Sequence, residues 1–143
     1  MLKTFKIGGV HPAENKISAG AAIEQLPLPE VVSIPVAQHI GAPAKVLVKR
    51  NDEVKVGTVI AESGGFVSAN IHSSVSGVVQ KIDNVYDASG YRRQAVIIKV
   101  EGDEWEEGID KTSDLNKNIT LDKKEIIDRI NASGIVGLGG RTF

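Results

Sequence analysis

The 143-residue sequence has no cysteine, no long hydrophobic run and no excess of charge of either sign. Without cysteine it can form neither a disulfide nor a cysteine-ligated zinc or iron–sulfur site. No stretch reaches the ~18 consecutive apolar residues of a membrane-spanning helix, and the first residues lack the apolar segment of a signal peptide. A direct membrane span is therefore not expected. Because 17 basic and 18 acidic residues are interspersed along the chain, a nucleic-acid partner is not expected either.

Proline is confined to the first part of the chain, where all five prolines lie at or before Pro43. Together with the glycines of this region they exclude a long helix. We predict an irregular N-terminal extension over residues 1–43 that packs on the rest of the domain. Within it, a short strand is predicted at 31–34 and at most one short helical stretch at 18–26.

Residues 44–102 have the pattern of a β module. Apolar and β-branched runs are separated by Gly, Asn, Asp or Ser, and they occur at 45–48, 58–61, 70–72, 77–82 and 95–100. Several short strands with regular turns predict a sandwich or a small barrel. The polar tract 83–93 is predicted to be a hairpin loop before the last strand.

The composition changes after this module. Five acidic residues surround one tryptophan between positions 101 and 107, and the segment 103–118 is predicted to be an acidic and polar linker. Residues 119–143 then predict one helix that Thr120 or Asp122 can cap and Gly134 can stop, with an apolar stripe formed by isoleucines. That stripe consists of Ile126, Ile127 and Ile130.

A glycine loop follows the predicted helix and contains Gly137, Gly139 and Gly140. Glycines let backbone N–H groups approach a phosphate closely, so these three are candidate cofactor-binding residues. The same spacing also occurs in ordinary turns. No catalytic residue is predicted, and the three histidines are expected to be structural rather than metal ligands because no His-x-His pair or helical Glu-x-x-His is present.

Two turns in the β module have a distinctive spacing. Asn51 and Gly57 suit left-handed backbone in the first turn, and Gly77 lies at the bend of the second. Together they resemble the barrel-sandwich hybrid fold of biotinyl and lipoyl carrier domains. In that family the modified lysine lies on the hairpin between the turns, about eleven residues before the second glycine, a position that is Phe66 in this sequence.

No lysine occurs between Lys55 and Lys81, so the hairpin has no amine for an amide bond to biotin or lipoate. A carrier function is therefore disfavoured. Phe66 has two interpretations, since the ring can cover the core next to the hairpin or can project as an exposed aromatic anchor for a partner.

A wider set of short motifs resembles one protein family. They are Lys-Ile-Gly-Gly-Val-His-Pro at 6–12, Leu-Pro-Leu-Pro at 26–29, Gln-His-Ile-Gly-Ala-Pro at 38–43, Val-Ser-Gly at 75–77 and Gly-Ile-Val-Gly-Leu-Gly-Gly at 134–140. In order and spacing they resemble the N-terminal part of the C subunit of the Rnf electron-transport complex, the membrane-bound, ion-translocating ferredoxin:NAD oxidoreductase. One departure is Arg141, which stands where relatives have a small residue.

The resemblance implies a peripheral subunit on the cytoplasmic side of the bacterial cell membrane, in contact with other subunits of the complex. It implies an FMN and NADH site and two 4Fe-4S clusters in the full-length subunit, with no cofactor in this chain. Residues 119–143 would begin the flavin- and NADH-binding domain without completing it. The expected function is a non-catalytic structural or docking module, and the alternative is a stand-alone carrier or binding module.

Overall fold

The computed structural model describes residues 13–87, 89–115 and 117–137, which contain seven strands and one helix. The strands are β1 (Val31–Pro35), β2 (Lys45–Val46), β3 (Glu53–Val54), β4 (Val59–Glu62), β5 (Ile71–His72), β6 (Ser76–Tyr86) and β7 (Arg92–Gly102), and the helix is α1 (Lys123–Ala132). The mainly β composition agrees with the sequence prediction.

The strands form two antiparallel sheets around one core. The first sheet has the order β1-β7-β6-β3, and the second has the order β2-β4-β5. Buried aliphatic side chains of both sheets contact each other, among them Ile34, Val54, Val79, Val96 and Ile98 from the first sheet and Ile60, Ala61 and Ile71 from the second. Full burial of one such aliphatic side chain stabilises by about 1.5–3 kcal/mol, so the shared core holds the two sheets together.

The turns predicted from the sequence have the expected backbone. Asn51 has φ +72° and Gly57 has φ +96°, and both lie in the left-handed region. Gly77 has φ +156° and lies at a bulge where β6 begins its pairing with β7. A Cβ at Gly77 would lie 2.0 Å from the carbonyl oxygen of Lys99, so glycine is required for the close approach of the two strands.

The hairpin of β6 and β7 is longer than predicted. Its ladder continues through the pair Tyr86↔Arg92, so the loop predicted at 83–93 is reduced to residues 87–91. The carboxylate of Asp87 accepts backbone N–H groups of Ser89 (2.9 Å) and Tyr91 (3.0 Å), which closes this tight turn. Most side chains at the end of the hairpin are exposed on both faces, and many of them are polar. The sequence there therefore lacks the alternation of apolar and polar residues that is typical of a half-buried strand.

The two ends of the chain differ in regularity. Residues 13–30 are irregular and exposed, with one turn at 17–20 and no helix at 18–26, and β1 confirms the predicted strand. The helix α1 begins after Asp122, whose carboxylate accepts the N–H of Glu125 in a reciprocal capping box. Of the two predicted caps, Asp122 is the one used.

Candidate functional site at the hairpin tip and the helix end

The loop between β4 and β5, residues 63–70, contains Phe66, the position at which the sequence spacing predicts the lysine of a carrier domain. We call residues 63–70 the tip. The tip lies close against the backbone of 41–43, since a Cβ at Gly64 would be 2.2 Å from the carbonyl oxygen of Pro43 and a Cβ at Gly41 would be 2.1 Å from that of Val67. The backbone N–H of Ala42 donates to the same Val67 oxygen (2.9 Å). Gly64 on the tip and Gly41 on the facing segment are therefore both required for this close approach.

Side chains add hydrogen bonds that fasten the tip. The hydroxyl of Ser68 donates to Ala42 O (2.8 Å) and accepts the N–H of Gly64 (2.9 Å). The imidazole of His39 accepts the N–H of Ala69 at Nε2 (3.0 Å) and lies 3.1 Å from Ile40 O through Nδ1. This pattern assigns the proton to Nδ1 and makes His39 a structural residue, as the sequence predicted. The tip is therefore held to the module at several points.

Phe66 projects from the tip and is 106% exposed relative to a reference residue. The interpretation that its ring covers the core is wrong, because the ring contacts no core surface. A full aromatic ring in solvent is compatible with the second interpretation, a docking anchor, which stays a prediction.

The end of α1 lies beside the tip. The side-chain amide of Asn70 donates to the carbonyl oxygen of Ala132 (3.3 Å), and a Cβ at Gly134 would be 2.3 Å from the carbonyl oxygen of Asn70. A groove of about 250 Å³ separates the two elements, and it is lined by His39, Ile40, Phe66, Val67, Ser68, Ala69, Asn131, Ile135 and Val136. The structure thus brings Phe66 and the start of the glycine loop to the same region of the domain.

The apolar stripe of α1 is open. Ile127 is 57% exposed and Ile130 is 43% exposed, and no residue of the helix is buried. Ile126 and Ile130 line a second groove together with Ile119, Leu121 and Ile135. Within the described residues, the helix contacts the β module through its C-terminal end and leaves its apolar face uncovered.

Of the predicted cofactor-binding glycines, Gly137 is the last described residue, and Gly139 and Gly140 lie outside the described residues. The cofactor interpretation therefore stays a prediction. A cysteine-ligated iron–sulfur cluster does not fit this chain, because it has no cysteine. In the part of the chain that the structure describes, no cluster of three or more His, Asp or Glu side chains could hold a metal ion, and no helix is long and apolar enough to cross a membrane.

Sequence reasoning missed a strip of acidic residues that packs on the module. Residues 103–109, the first part of the predicted linker, lie beside the turn at 55–58, where Val56 and Trp105 form a parallel bridge. The ammonium of Lys55 pairs with the carboxylate of Glu104 at 2.7 Å, and Thr58 Oγ1 donates to Glu106. The alternation of Glu104 and Glu106, which places both on one face of an extended segment, was the available signal.

Charge at this strip affects one pKa. The hydrogen bond and the negative charge of Glu104 raise the pKa of Lys55, and the charges of Glu106 and Glu107 act in the same direction. Because the pair is well exposed to solvent, its contribution to stability is small. The chain beyond β7 is held at the turn by the bridge between Val56 and Trp105 and by the hydrogen bond from Thr58 to Glu106 as well as by this ion pair.

The fold and the tip together define a barrel-sandwich hybrid domain that has no lysine for a prosthetic group. The family described as RnfC Barrel sandwich hybrid domain matches residues 3–103. The chain belongs to this family, which confirms the resemblance seen in the sequence motifs.

Curated relatives are C subunits of oxidoreductase complexes. The chain is 47% identical over 146 residues to the C subunit of the proton-translocating ferredoxin:NAD(+) oxidoreductase complex of Clostridium ljungdahlii, covering 100% of this chain and 31% of the relative. It is 40% identical over 146 residues to the C subunit of the Na(+)-translocating ferredoxin:NAD(+) oxidoreductase complex of Acetobacterium woodii, covering 98% and 31%. Identity to the C subunit of the ion-translocating oxidoreductase complex of Rhodobacter capsulatus is 37% over 147 residues, covering 99% and 28%. The chain spans less than a third of the length of these relatives.

Proposed function

We propose that this chain is the N-terminal docking module of the C subunit in an ion-translocating ferredoxin:NAD oxidoreductase complex. In this proposal the subunit is peripheral, lies on the cytoplasmic side of the bacterial cell membrane, and supports electron transfer between NADH and ferredoxin. The module itself is not catalytic. The observation that carries the proposal is the tip, which has no lysine and is fastened to the module next to the end of α1.

A tip that has no lysine suits a scaffold and not a carrier. A swinging prosthetic arm needs an amine nucleophile, which this tip lacks, whereas Ser68 and His39 bind the tip backbone to residues 39–43. Electron transfer requires redox centres to stay at short and constant separations. A rigid β module that holds the next segment of the chain meets this requirement, because its core is shared by both sheets.

The open face of α1 indicates where the next part of the subunit would bind. The stripe of Ile126, Ile127 and Ile130 is typical of a helix that packs against another element, yet in the described residues Ile127 and Ile130 are exposed and Ile126 is only half-buried. We propose that residues 119–143 begin the flavin- and NADH-binding domain and that this stripe belongs to the core of that domain. The two 4Fe-4S clusters would lie in the rest of the subunit, since this chain has no cysteine.

The proposal is tested in the full-length subunit by deletion of residues 1–102, with the wild-type subunit as the control. We expect the deletion to abolish co-purification with the other subunits or to reduce NADH-linked ferredoxin reduction in membranes. Complete assembly and unchanged electron transfer after the deletion would refute the docking function.

The carrier alternative makes a different prediction. After co-expression with biotin and lipoate ligases, the intact mass of the chain should remain that of the unmodified polypeptide, because no lysine occurs between Lys55 and Lys81. A gain of the mass of biotin or lipoate would instead support a carrier. A nucleotide-binding enzyme is a third alternative, and titration of this chain with NADH or FMN should show no saturable binding.

A further inference from the structure

We infer that Asn70 and Gly134 form a latch that positions the chain entering the glycine loop. The inference rests on the proposed function, because it assigns the loop that begins at Gly137 to the flavin and NADH site. In carrier domains the corresponding tip presents a lysine, whereas here the tip holds the end of α1. Asn70 and Gly134 are thus positioning residues that act on the direction of residues 135–137.

The hydrogen bonds at the end of α1 show why Asn70 is needed. A helix leaves its last four carbonyl groups without partners inside the helix itself. Ser133 N–H donates to Arg129 O (3.0 Å), and the two bonds of a Schellman turn join Gly134 N–H to Asn131 O (3.1 Å) and Ile135 N–H to Ile130 O (3.3 Å). The remaining carbonyl, that of Ala132, accepts the side-chain amide of Asn70 (3.3 Å).

The orientation of the Asn70 amide is fixed from the other side. Its Oδ1 accepts the backbone N–H of Ser63 (2.9 Å), which leaves the Nδ2 donor to face the helix end. A donor is also what the electrostatics of this position require, since the C-terminal end of a helix carries partial negative charge. Asn70 therefore links the first residue of the tip to the last residue of α1.

Gly134 makes the second contact of the latch. Its φ of +64° is the left-handed conformation that ends the helix, and its Cα hydrogen faces the carbonyl oxygen of Asn70. An added Cβ would lie 2.3 Å from that backbone oxygen and 3.3 Å from Cε1 of His72, so any side chain would push α1 away from the tip. The helix end and the tip can meet only through glycine.

Two pairs of substitutions in the full-length subunit test the latch. Asn70→Asp keeps the acceptor for Ser63 but replaces the donor with a carboxylate, and the control is Asn84→Asp on the exposed β6 strand. Gly134→Ala adds the clashing methyl group, and the control is Gly90→Ala, which has a similar φ of +80° and no atom within 4 Å of the new Cβ. Asn84→Asp introduces the same charge and Gly90→Ala introduces an alanine at a similarly positive φ, but neither residue contacts the end of α1.

The measurements are hydrogen exchange of the peptide that covers residues 130–137 and the dissociation constant for NADH. We expect exchange to rise about two- to tenfold in both latch variants, as loss of one hydrogen bond implies, and NADH binding to weaken by a similar factor, with neither control changed. Unchanged exchange in both latch variants would refute the latch.

Faster exchange with unchanged NADH affinity would refute the positioning function alone, and the deletion test of the docking function would be unaffected. No NADH binding by the wild-type subunit would overturn the inference together with the NADH assignment on which it rests.

Discussion

Replacement of Gly77 by alanine is the sharpest test of the β module, because this glycine allows β6 and β7 to approach each other at a bulge. In the Gly77→Ala variant the new Cβ would lie 2.0 Å from Lys99 O, 3.0 Å from Lys99 C and 3.1 Å from Glu101 N. All three are backbone atoms, so no side-chain rotation can relieve the overlap. The strands would have to separate by about 1.4 Å to restore ordinary contact.

The expected cost combines two effects. Alanine at a positive φ costs about 1–2 kcal/mol relative to glycine, and separating the strands weakens one or two ladder hydrogen bonds at about 1 kcal/mol each. We therefore expect a loss of about 2–4 kcal/mol in the free energy of unfolding. Gly90→Ala is the matched control, because its φ is also positive and no atom lies within 4 Å of the added Cβ, so it should cost only about 1 kcal/mol.

Equilibrium unfolding in urea measures both variants. The fluorescence of Trp105, the single tryptophan, reports on the end of the module through its bridge to Val56, and circular dichroism reports on the sheets. Equal losses in Gly77→Ala and Gly90→Ala, within about 0.5 kcal/mol, would show that the close approach at the bulge does not contribute to stability and would refute the reasoning.

Three further predictions use the same unfolding assay. Asn51→Ala should cost about 1 kcal/mol and Asn51→Gly should not, because φ is +72°. Ile98→Ala should cost about 2–5 kcal/mol because Ile98 is fully buried, whereas Ile82→Ala on the partly exposed hairpin should cost under about 1 kcal/mol. The hydrogen bond from the N–H of Tyr91 lowers the pKa of Asp87 in the folded chain. The carboxylate of Asp87 therefore stabilises the fold above the ordinary pKa of 3.8, and this stabilisation is lost as the pH falls through the lowered pKa. The difference in unfolding free energy between the wild-type chain and Asp87→Asn should shrink from pH 7 to pH 3.

Local backbone requirements were the part of this fold that could be predicted most directly from the sequence. Asn51, Gly57, Gly77 and Gly134 all have positive φ, and each was expected to lie at a turn, a bend or a helix end. Such positions can be read from a sequence because few residue types tolerate the left-handed region. The cap at Asp122 follows for a similar reason, since the capping bond is made within four residues of chain.

Contacts between distant segments could not be predicted in this way. The bond from Asn70 to Ala132 joins residues 62 positions apart, and nothing in the local sequence of either residue specifies the other. The acidic strip was missed for the same reason, because Glu104 looks like a solvated residue until Lys55 is placed beside it. The end of the β6–β7 hairpin was missed because exposed strands do not show hydrophobic alternation.

The tip gains its significance from this combination of local and distant contacts. Absence of a lysine alone would leave a free loop that has lost its function, and such a loop would need no particular contacts with the rest of the chain. Instead, Ser68 and His39 bind the tip to the module, and Asn70 binds it to the carbonyl at the end of α1. Because hydrogen bonds that order a loop must offset its conformational entropy, a tip bonded on both sides supports the proposed function of holding the following segment in place.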